Sequence, residues 1–236
     1  MHGSPETNQH DERFSIDDMV VQIGLHNYDF IYSKPGLYDQ LLYDTLKCQS
    51  PRVVVAALAK SIRRLGQNPS QLTYLDIGAG PGNVGEEINK IGARRITNVD
   101  IHALAYQEAH LTRRDSFDEY YVVDLSDRVR VTQTLGENYY PQCVPSYDCL
   151  TMVAALSHDH IPIEGIETAL DLVKSGGFIA TCIGEDQLDQ DTPLSRLMWQ
   201  FVGGLGFRLH HFKRYRHRFT ADGRELLYYC IVTQKL

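Results

Sequence analysis

Changes in hydrophobic rhythm divide the chain into segments. Between Met19 and about Leu65 apolar residues recur at three- and four-residue spacing, with Leu37, Leu41, Leu42 and Leu46 in one set. Val54, Ala57, Leu58, Ile62 and Leu65 form a second. That period predicts two helices, and Pro51 suits the first turn of the second. Asn68-Pro69-Ser70 then interrupts the pattern and predicts a boundary. Beyond it, short runs rich in Val, Ile, Tyr and Thr predict strands at Leu72–Ile77, Arg95–Ile101, Tyr120–Leu125, Tyr147–Val153 and Phe178–Ile183. Helical periods fill the gaps, the clearest being Leu194, Leu197, Met198, Phe201 and Val202, closed by Gly203-Gly204. Strands alternating with helices predict an α/β fold with a mostly parallel sheet covered on both faces. Phe207–Phe219 and Glu225–Thr233, joined through Asp222-Gly223, predict a closing antiparallel hairpin. Residues 1–18 mix Gly, Pro, Ser, Asn and acids without period and predict a disordered tail. The expected organisation is therefore a tail over 1–18, a helical cap over 19–70 and a sheet domain over 71–236.

Composition changes this picture little. The 236 residues are 43% hydrophobic and 22% charged, with a mean hydropathy of −0.30, so bulk numbers name no activity. A net charge of −7 argues against nucleic acid as a partner, because phosphate binding calls for positive charge. The five cysteines, Cys48, Cys143, Cys149, Cys182 and Cys230, are widely spaced, with no C-x-x-C pair; neither a disulfide framework nor a metal site is expected. No apolar run is long enough to span a bilayer, and no export signal opens the chain, so a cytoplasmic location away from membranes is expected.

One segment carries chemistry. Tyr74-Leu75-Asp76-Ile77-Gly78-Ala79-Gly80-Pro81-Gly82-Asn83-Val84-Gly85 runs from a strand into three alternating glycines and on into a helix. Residues without Cβ let the turn adopt positive φ and let a ligand approach the backbone at the strand's carboxyl end. The stretch from Gly80 to Gly85 also fits G-x-G-x-x-G, the dinucleotide fingerprint. Asp76, two residues before the first glycine, argues against that reading: a carboxylate there repels a pyrophosphate and attracts an ammonium.

On these residues the chain resembles the class I S-adenosylmethionine-dependent methyltransferases from about Leu72 to the end. It is similar, more closely, to the group around the Williams-Beuren-region methyltransferase-like protein. That finer likeness rests on Tyr28-Asp29, Tyr38-Asp39 and Tyr43-Asp44, on the stretch from Leu46-Lys47 to Pro51-Arg52, and on Ala155-Leu156-Ser157 followed by Ile161-Pro162. The resemblance implies a Rossmann-like seven-stranded sheet whose last strand is antiparallel and inserted. It implies S-adenosylmethionine as cofactor and S-adenosylhomocysteine as product. Asp76, Gly78, Gly80 and Gly82 would hold the methionine end, and Asp100, followed by Ile101, would take both ribose hydroxyls. Asp124 and Leu125 would meet the adenine, and Ala154 would close the site after the fourth strand. Tyr28 and Tyr32, in the segment that folds over the cofactor, would face the sulfonium through cation–π attraction.

Methyl transfer asks the protein mainly to orient two reactants and exclude water. A hydroxyl acceptor would benefit from a base, for which His158, with His160 in reserve, stands in the loop after the fourth strand. Each role competes with a plainer one. Asp100 and Asp124 could cap the turns that follow them, the histidines could simply be solvated, and the tyrosines could pack two cap helices. The run from Arg208 to Arg218 is a basic concentration in an acidic chain. Protection of a sheet edge explains it most simply, ahead of contact with an anionic acceptor; RNA binding is a minor option. The expected partner is a small-molecule methyl acceptor, with anionic ones included, and O- or N-methylation the expected reaction. The alternatives are a protein methyltransferase, a non-catalytic subunit that binds the cofactor, and a nicotinamide-dependent oxidoreductase.

Overall fold

The computed structural model describes residues 11–16, 19–25, 27–136, 147–156 and 160–236. Its first elements differ from the expected tail. Strand β1 (Asp11–Ile16) pairs antiparallel with β2 (Met19–Gly24) in a separate two-stranded sheet. The β-branched Val20, Val21 and Ile23 favour extended backbone, whereas the expected tail was read from the Gly- and Pro-containing residues before them. Helices α1 (Tyr28–Tyr32) and α2 (Leu37–Asp39) follow, and α2 continues into a π-helical turn over Gln40–Thr45. Ile31, Leu37, Leu41 and Leu46 bury themselves with Leu25 in a small core of their own.

Helix α3 (Ser50–Arg64) has Pro51 in its first turn, as its sequence predicts. It belongs to the sheet, however, and not to a cap ending at residue 70. Val54, Leu58 and Ile62 pack with Tyr74, Phe178, Cys230 and Val232 in one continuous cluster. Periodicity showed that one face of this helix is buried, but not against which partner.

The chain then alternates strand and helix. The elements are β3 (Thr73–Ile77), α4 (Asn83–Lys90), β4 (Arg95–Asp100), α5 (Ala103–Thr112), β5 (Glu119–Val122), α6 (Arg128–Gly136), β6 (Tyr147–Met152), α7 (Ile163–Asp171) and β7 (Val173–Gly184). Two helices, α8 (Glu185–Leu188) and α9 (Pro193–Gly203), lead into the hairpin of β8 (Phe207–Phe219) and β9 (Glu225–Lys235). The strands form one seven-stranded sheet in the order β5-β4-β3-β6-β7-β9-β8. The pairs from β5 to β7 are parallel, and β9 lies antiparallel between β7 and β8.

Alternation along the strands sends side chains to two cores. Tyr74, Cys149, Phe178 and Val232 face α3 and α4, while Leu75, Leu150, Ile179 and Ile231 face α7 and α9. Thr192 and Ser195 cap α9 reciprocally, and its Leu194, Met198 and Phe201 are buried. The strand order reverses between β3 and β6, which opens a crevice outside their carboxyl ends. Sheets of this kind bind ligands there. Among the described residues, no helix is long and apolar enough to cross a membrane, and no group of three or more His, Cys, Asp or Glu could hold a metal ion.

Candidate functional site

Strand β3 ends at Ile77, and the backbone turns at once. The amides of Gly78 and Ala79 both donate to the Val99 carbonyl, at 2.9 and 3.1 Å, which bends the chain across the end of β4. Gly78 has φ +66°, and a Cβ there would lie 2.5 Å from that of Ala155. No other residue fits that position without moving β3 or the segment after β6. Gly82, also left-handed, caps α4.

Beside this turn lies a cavity of about 660 Å³, in the range of roughly 300–1,000 Å³ usual for ligand pockets. Its walls come from the carboxyl ends of four strands: Gly78 after β3, Asp100 to His102 at β4, Val123 to Leu125 after β5, and Val153 to Ala155 after β6. Tyr28, Tyr32 and Tyr38 line it from the N-terminal segment, and His160 to Pro162 complete it.

Asp100 is 8% exposed. One of its oxygens accepts from the Gly80 amide at 2.8 Å and the other from the His102 amide at 2.9 Å. A carboxylate has about four acceptor sites, so each oxygen keeps room for another donor. Burial raises its pKa, and these amide bonds oppose the rise. Asp124 is exposed on the far wall, where one oxygen accepts from both the amide and the hydroxyl of Ser126, at 2.9 and 2.7 Å. Those bonds hold its pKa below the ordinary value. It therefore performs the capping role and lines the cavity as well. Ala154 has φ +56°, a conformation that costs a residue with a Cβ about 1–3 kcal/mol and that clusters at functional sites.

Asp76 lies deeper. It is fully buried and does not reach the cavity wall. One oxygen accepts from the Thr151 hydroxyl at 2.6 Å, while the other has no partner. Burial pushes its pKa up to about 7, with the Thr151 bond opposing and Asp100 adding to the rise. Gly80 and Gly82 are likewise off the wall: the first serves Asp100, the second α4.

The roof is a chain of aromatic rings. Tyr28 stacks on Tyr32 at 5.6 Å, Tyr32 meets Tyr38 at 5.4 Å, and Tyr38 meets Tyr43 at 6.3 Å. His102 touches Tyr28 and Tyr32, and His160 Nε2 lies 3.3 Å from the Tyr28 hydroxyl. Burial raises all four phenol pKa values. Polar ties hold this roof down. The Gly36 amide donates to Glu108, and Asn83 donates to Asp39. Arg113 donates to Asp39 at 2.6 Å and to Glu86 at 3.0 Å.

Thus Tyr28, Tyr32, Gly78, Asp100, Ile101, Asp124, Leu125, Ala154 and His160 converge on one cavity, while Asp76, Gly80 and Gly82 support it from behind. His158 lies outside the described residues. Tyr38, expected in the covering segment but not as a contact, and His102, not expected at all, both line the cavity. Spacing from Tyr32 could have signalled the first, and position just after Asp100 the second.

Comparison with known proteins fits this geometry. Residues 52–222 match the model of a family described as a methyltransferase domain. The chain belongs to that family: it is a methyl-transferring enzyme, and its cofactor is S-adenosylmethionine. No curated protein matches the sequence. Among solved structures, one from Pyrococcus horikoshii, assigned as an RNA methyltransferase, is 13% identical; the match covers 80% of this chain and 85% of that one, with a TM-score of 0.55. Magnesium protoporphyrin IX methyltransferase from Synechocystis, solved with S-adenosylmethionine bound, is 14% identical over 79% of each chain, at a TM-score of 0.54. A ribosomal-protein methylase from Lactobacillus delbrueckii is 15% identical over 78% of each chain, at 0.51. At such identities the likeness is one of fold. It nevertheless corrects the expectation that nucleic acid is excluded as a partner, because this fold is shared with a protein assigned to RNA. Net charge sums over the whole surface, whereas a substrate meets only part of it.

Proposed function

We propose that this cavity binds S-adenosylmethionine and that the enzyme passes its methyl group to a compact acceptor, a small molecule, at oxygen or nitrogen. The observation that carries the reading is the placement of Asp100. Its carboxylate lies at the end of β4 on the cavity wall, held by two backbone amides, with acceptor sites left over for the two hydroxyls of a ribose. Ile101 and Leu125, apolar and on the same wall, suit the faces of an adenine, and Asp124 suits its exocyclic amine. Asp76, whose second oxygen is buried and unpartnered behind the cavity wall, lends negative charge toward the ammonium of the methionine moiety, and Gly78 lets a ligand approach the backbone. Tyr28 and Tyr32 present rings to a sulfonium.

Once bound, the cofactor supplies an activated methyl group, and the chain's own residues orient and enclose it. The tyrosine roof covers the cavity from the side of the N-terminal segment. His160, 3.3 Å from the Tyr28 hydroxyl, can take a proton from an acceptor hydroxyl at its Nε2; His158 is a second candidate base. A roofed cavity of this size favours a compact acceptor over a folded protein. Within the family, the Tyr-Asp pairs support a likeness to the Williams-Beuren-region group. Asp39 of the second pair anchors the roof to Arg113.

Methyl-labelled S-adenosylmethionine incubated with the pure enzyme and a cell extract tests this reading. Label is expected in the small-molecule fraction, and label confined to protein or RNA refutes the small acceptor. Asp100→Ala is expected to abolish S-adenosylhomocysteine binding, and unchanged affinity would refute the cofactor assignment. A macromolecular acceptor is the second reading, favoured by the charge distribution described next.

A further inference from the structure

Charge in this acidic protein is unevenly placed. Helix α3 carries four Lys or Arg and strand β8 five, with no Asp or Glu in either. The two elements are neighbours. Tyr215 of β8 packs into the core beneath α3, and His211 and Lys213 share its side of the strand. His211 is half-buried; burial first, and then Lys213, Arg64 and Lys60, keep its pKa below the ordinary value, so these cations lie within electrostatic reach of one ring. Lys60, Arg63, Arg64, Arg208 and Lys213 are exposed, and none makes an ion pair among the described residues.

Protection of the sheet edge explains only part of this. β8 is the outer strand, and cations on it discourage pairing with another sheet. Lys60, Arg63 and Arg64 are on a helix over the sheet face and guard no edge. The opposite side of β8 has a different character. Phe212, 36% exposed, stacks on Tyr229 at 4.7 Å with an interplanar angle of 6°, and meets Trp199, which is 49% exposed. The rim therefore offers unpaired cations on one side and open aromatic faces on the other, where Arg214 is held in an ion pair with Glu185. A lipid surface is broad and would engage one side. A single-stranded polynucleotide is narrow, with phosphates along one flank and flat bases along the other.

We propose that the rim formed by α3 and β8 binds single-stranded polynucleotide, its phosphates against Lys60, Arg64 and Lys213 and its bases against Trp199 and Phe212. This is a binding function separate from the cofactor cavity. Such sites pair a basic track with aromatic stacking platforms. Binding is governed by local charge and falls with added salt.

Fluorescence anisotropy with labelled twelve-nucleotide oligouridine and oligothymidine tests it, with a duplex of the same length and phosphatidylserine vesicles alongside. Either single strand is expected to bind at low salt, more tightly than duplex. Lys60→Glu, Arg64→Glu and Lys213→Glu together should weaken binding by about tenfold or more and flatten the log–log salt slope by about 2, at roughly 0.7 per lost phosphate contact. Trp199→Ala should weaken single-strand binding about tenfold. The proposal is overturned if neither strand binds, if the triple variant binds like the wild type, if duplex binds as well as single strand with Trp199→Ala silent, or if only vesicles bind. S-adenosylhomocysteine affinity should be the same in all variants, so failure here is distinguishable from failure of the cofactor reading.

Discussion

The pH dependence of cofactor binding tests the role of Asp76 most directly. In the free protein this carboxyl holds its proton up to a pH of about 7, because burial outweighs the Thr151 hydrogen bond. An ammonium held on the wall in front of this carboxyl is attracted by the anion and not by the acid. Above about 7 the anion is already present and affinity should be flat. Below it, binding must expel the proton, so affinity should fall by roughly tenfold per pH unit, each unit being about 1.4 kcal/mol. Between pH 8 and 5, S-adenosylhomocysteine should lose about two orders of magnitude in affinity, read by isothermal titration calorimetry. Asp76→Asn should bind weakly at every pH and abolish the slope. The same group predicts a stability trend of defined sign. The folded state keeps a proton that the unfolded chain gives up near the ordinary aspartate value of about 3.9. The free protein should therefore lose stability as pH rises from about 4 to 7, and Asp76→Asn should not. A wild-type affinity that stays constant from pH 5 to 8 refutes the reasoning. A slope surviving in Asp76→Asn places the effect outside this carboxyl.

Three further outcomes follow from the geometry. Tyr28→Ala should weaken S-adenosylmethionine more than S-adenosylhomocysteine, by roughly threefold to thirtyfold, because only the first is a cation beneath the ring; equal losses would leave the tyrosine a packing role. Gly78→Ala places a Cβ 2.5 Å from that of Ala155 at φ +66°. It should therefore cost about 2–4 kcal/mol from backbone strain and overpacking, seen as a lower melting temperature; an unchanged one refutes the tight approach. Arg113→Ala removes the tie between Asp39 and Glu86, whose carboxylates are 30% and 42% exposed. Screening limits the loss to about 1–2 kcal/mol, but cofactor affinity should drop with it if the roof depends on this anchor.

Much of the fold was legible because local pattern and long-range packing agree in it. The run at 207–219 and the one beginning at Glu225 are extended in sequence and in structure, since edge and penultimate strands need only period-two alternation and a turn. The glycine turn was legible because the left-handed backbone at Gly78, Gly80 and Gly82 favours glycine. The errors have a common physical source: a periodic pattern says that a face is buried and leaves its partner open. Helix α3 looked like half of a cap, yet Val54, Leu58 and Ile62 complete the sheet core. Asp76, expected to hold the methionine end, lies within the central strand, where β4 and β6 flank it. Tyr38 lies in the short helix α2 and lines the cavity, and the π-helical turn that follows it is one that no propensity announces.

The failed exclusion of nucleic acid is a different kind of error. A whole-chain charge of −7 was treated as a property of every surface. Yet acids and bases in this protein segregate by element, and two elements distant in sequence are made neighbours by the sheet. Neither α3 nor β8 alone exceeds what a solvated helix or a protected edge explains. Their juxtaposition across the final antiparallel pair produces a surface that neither segment predicts. Screening shortens the reach of charge to about 8–10 Å at physiological salt, so a ligand at that rim responds to the cations there and hardly at all to carboxylates on the far side of the sheet. The relevant quantity for a partner is thus the charge within one screening length of the contact, and in this fold the topology sets it.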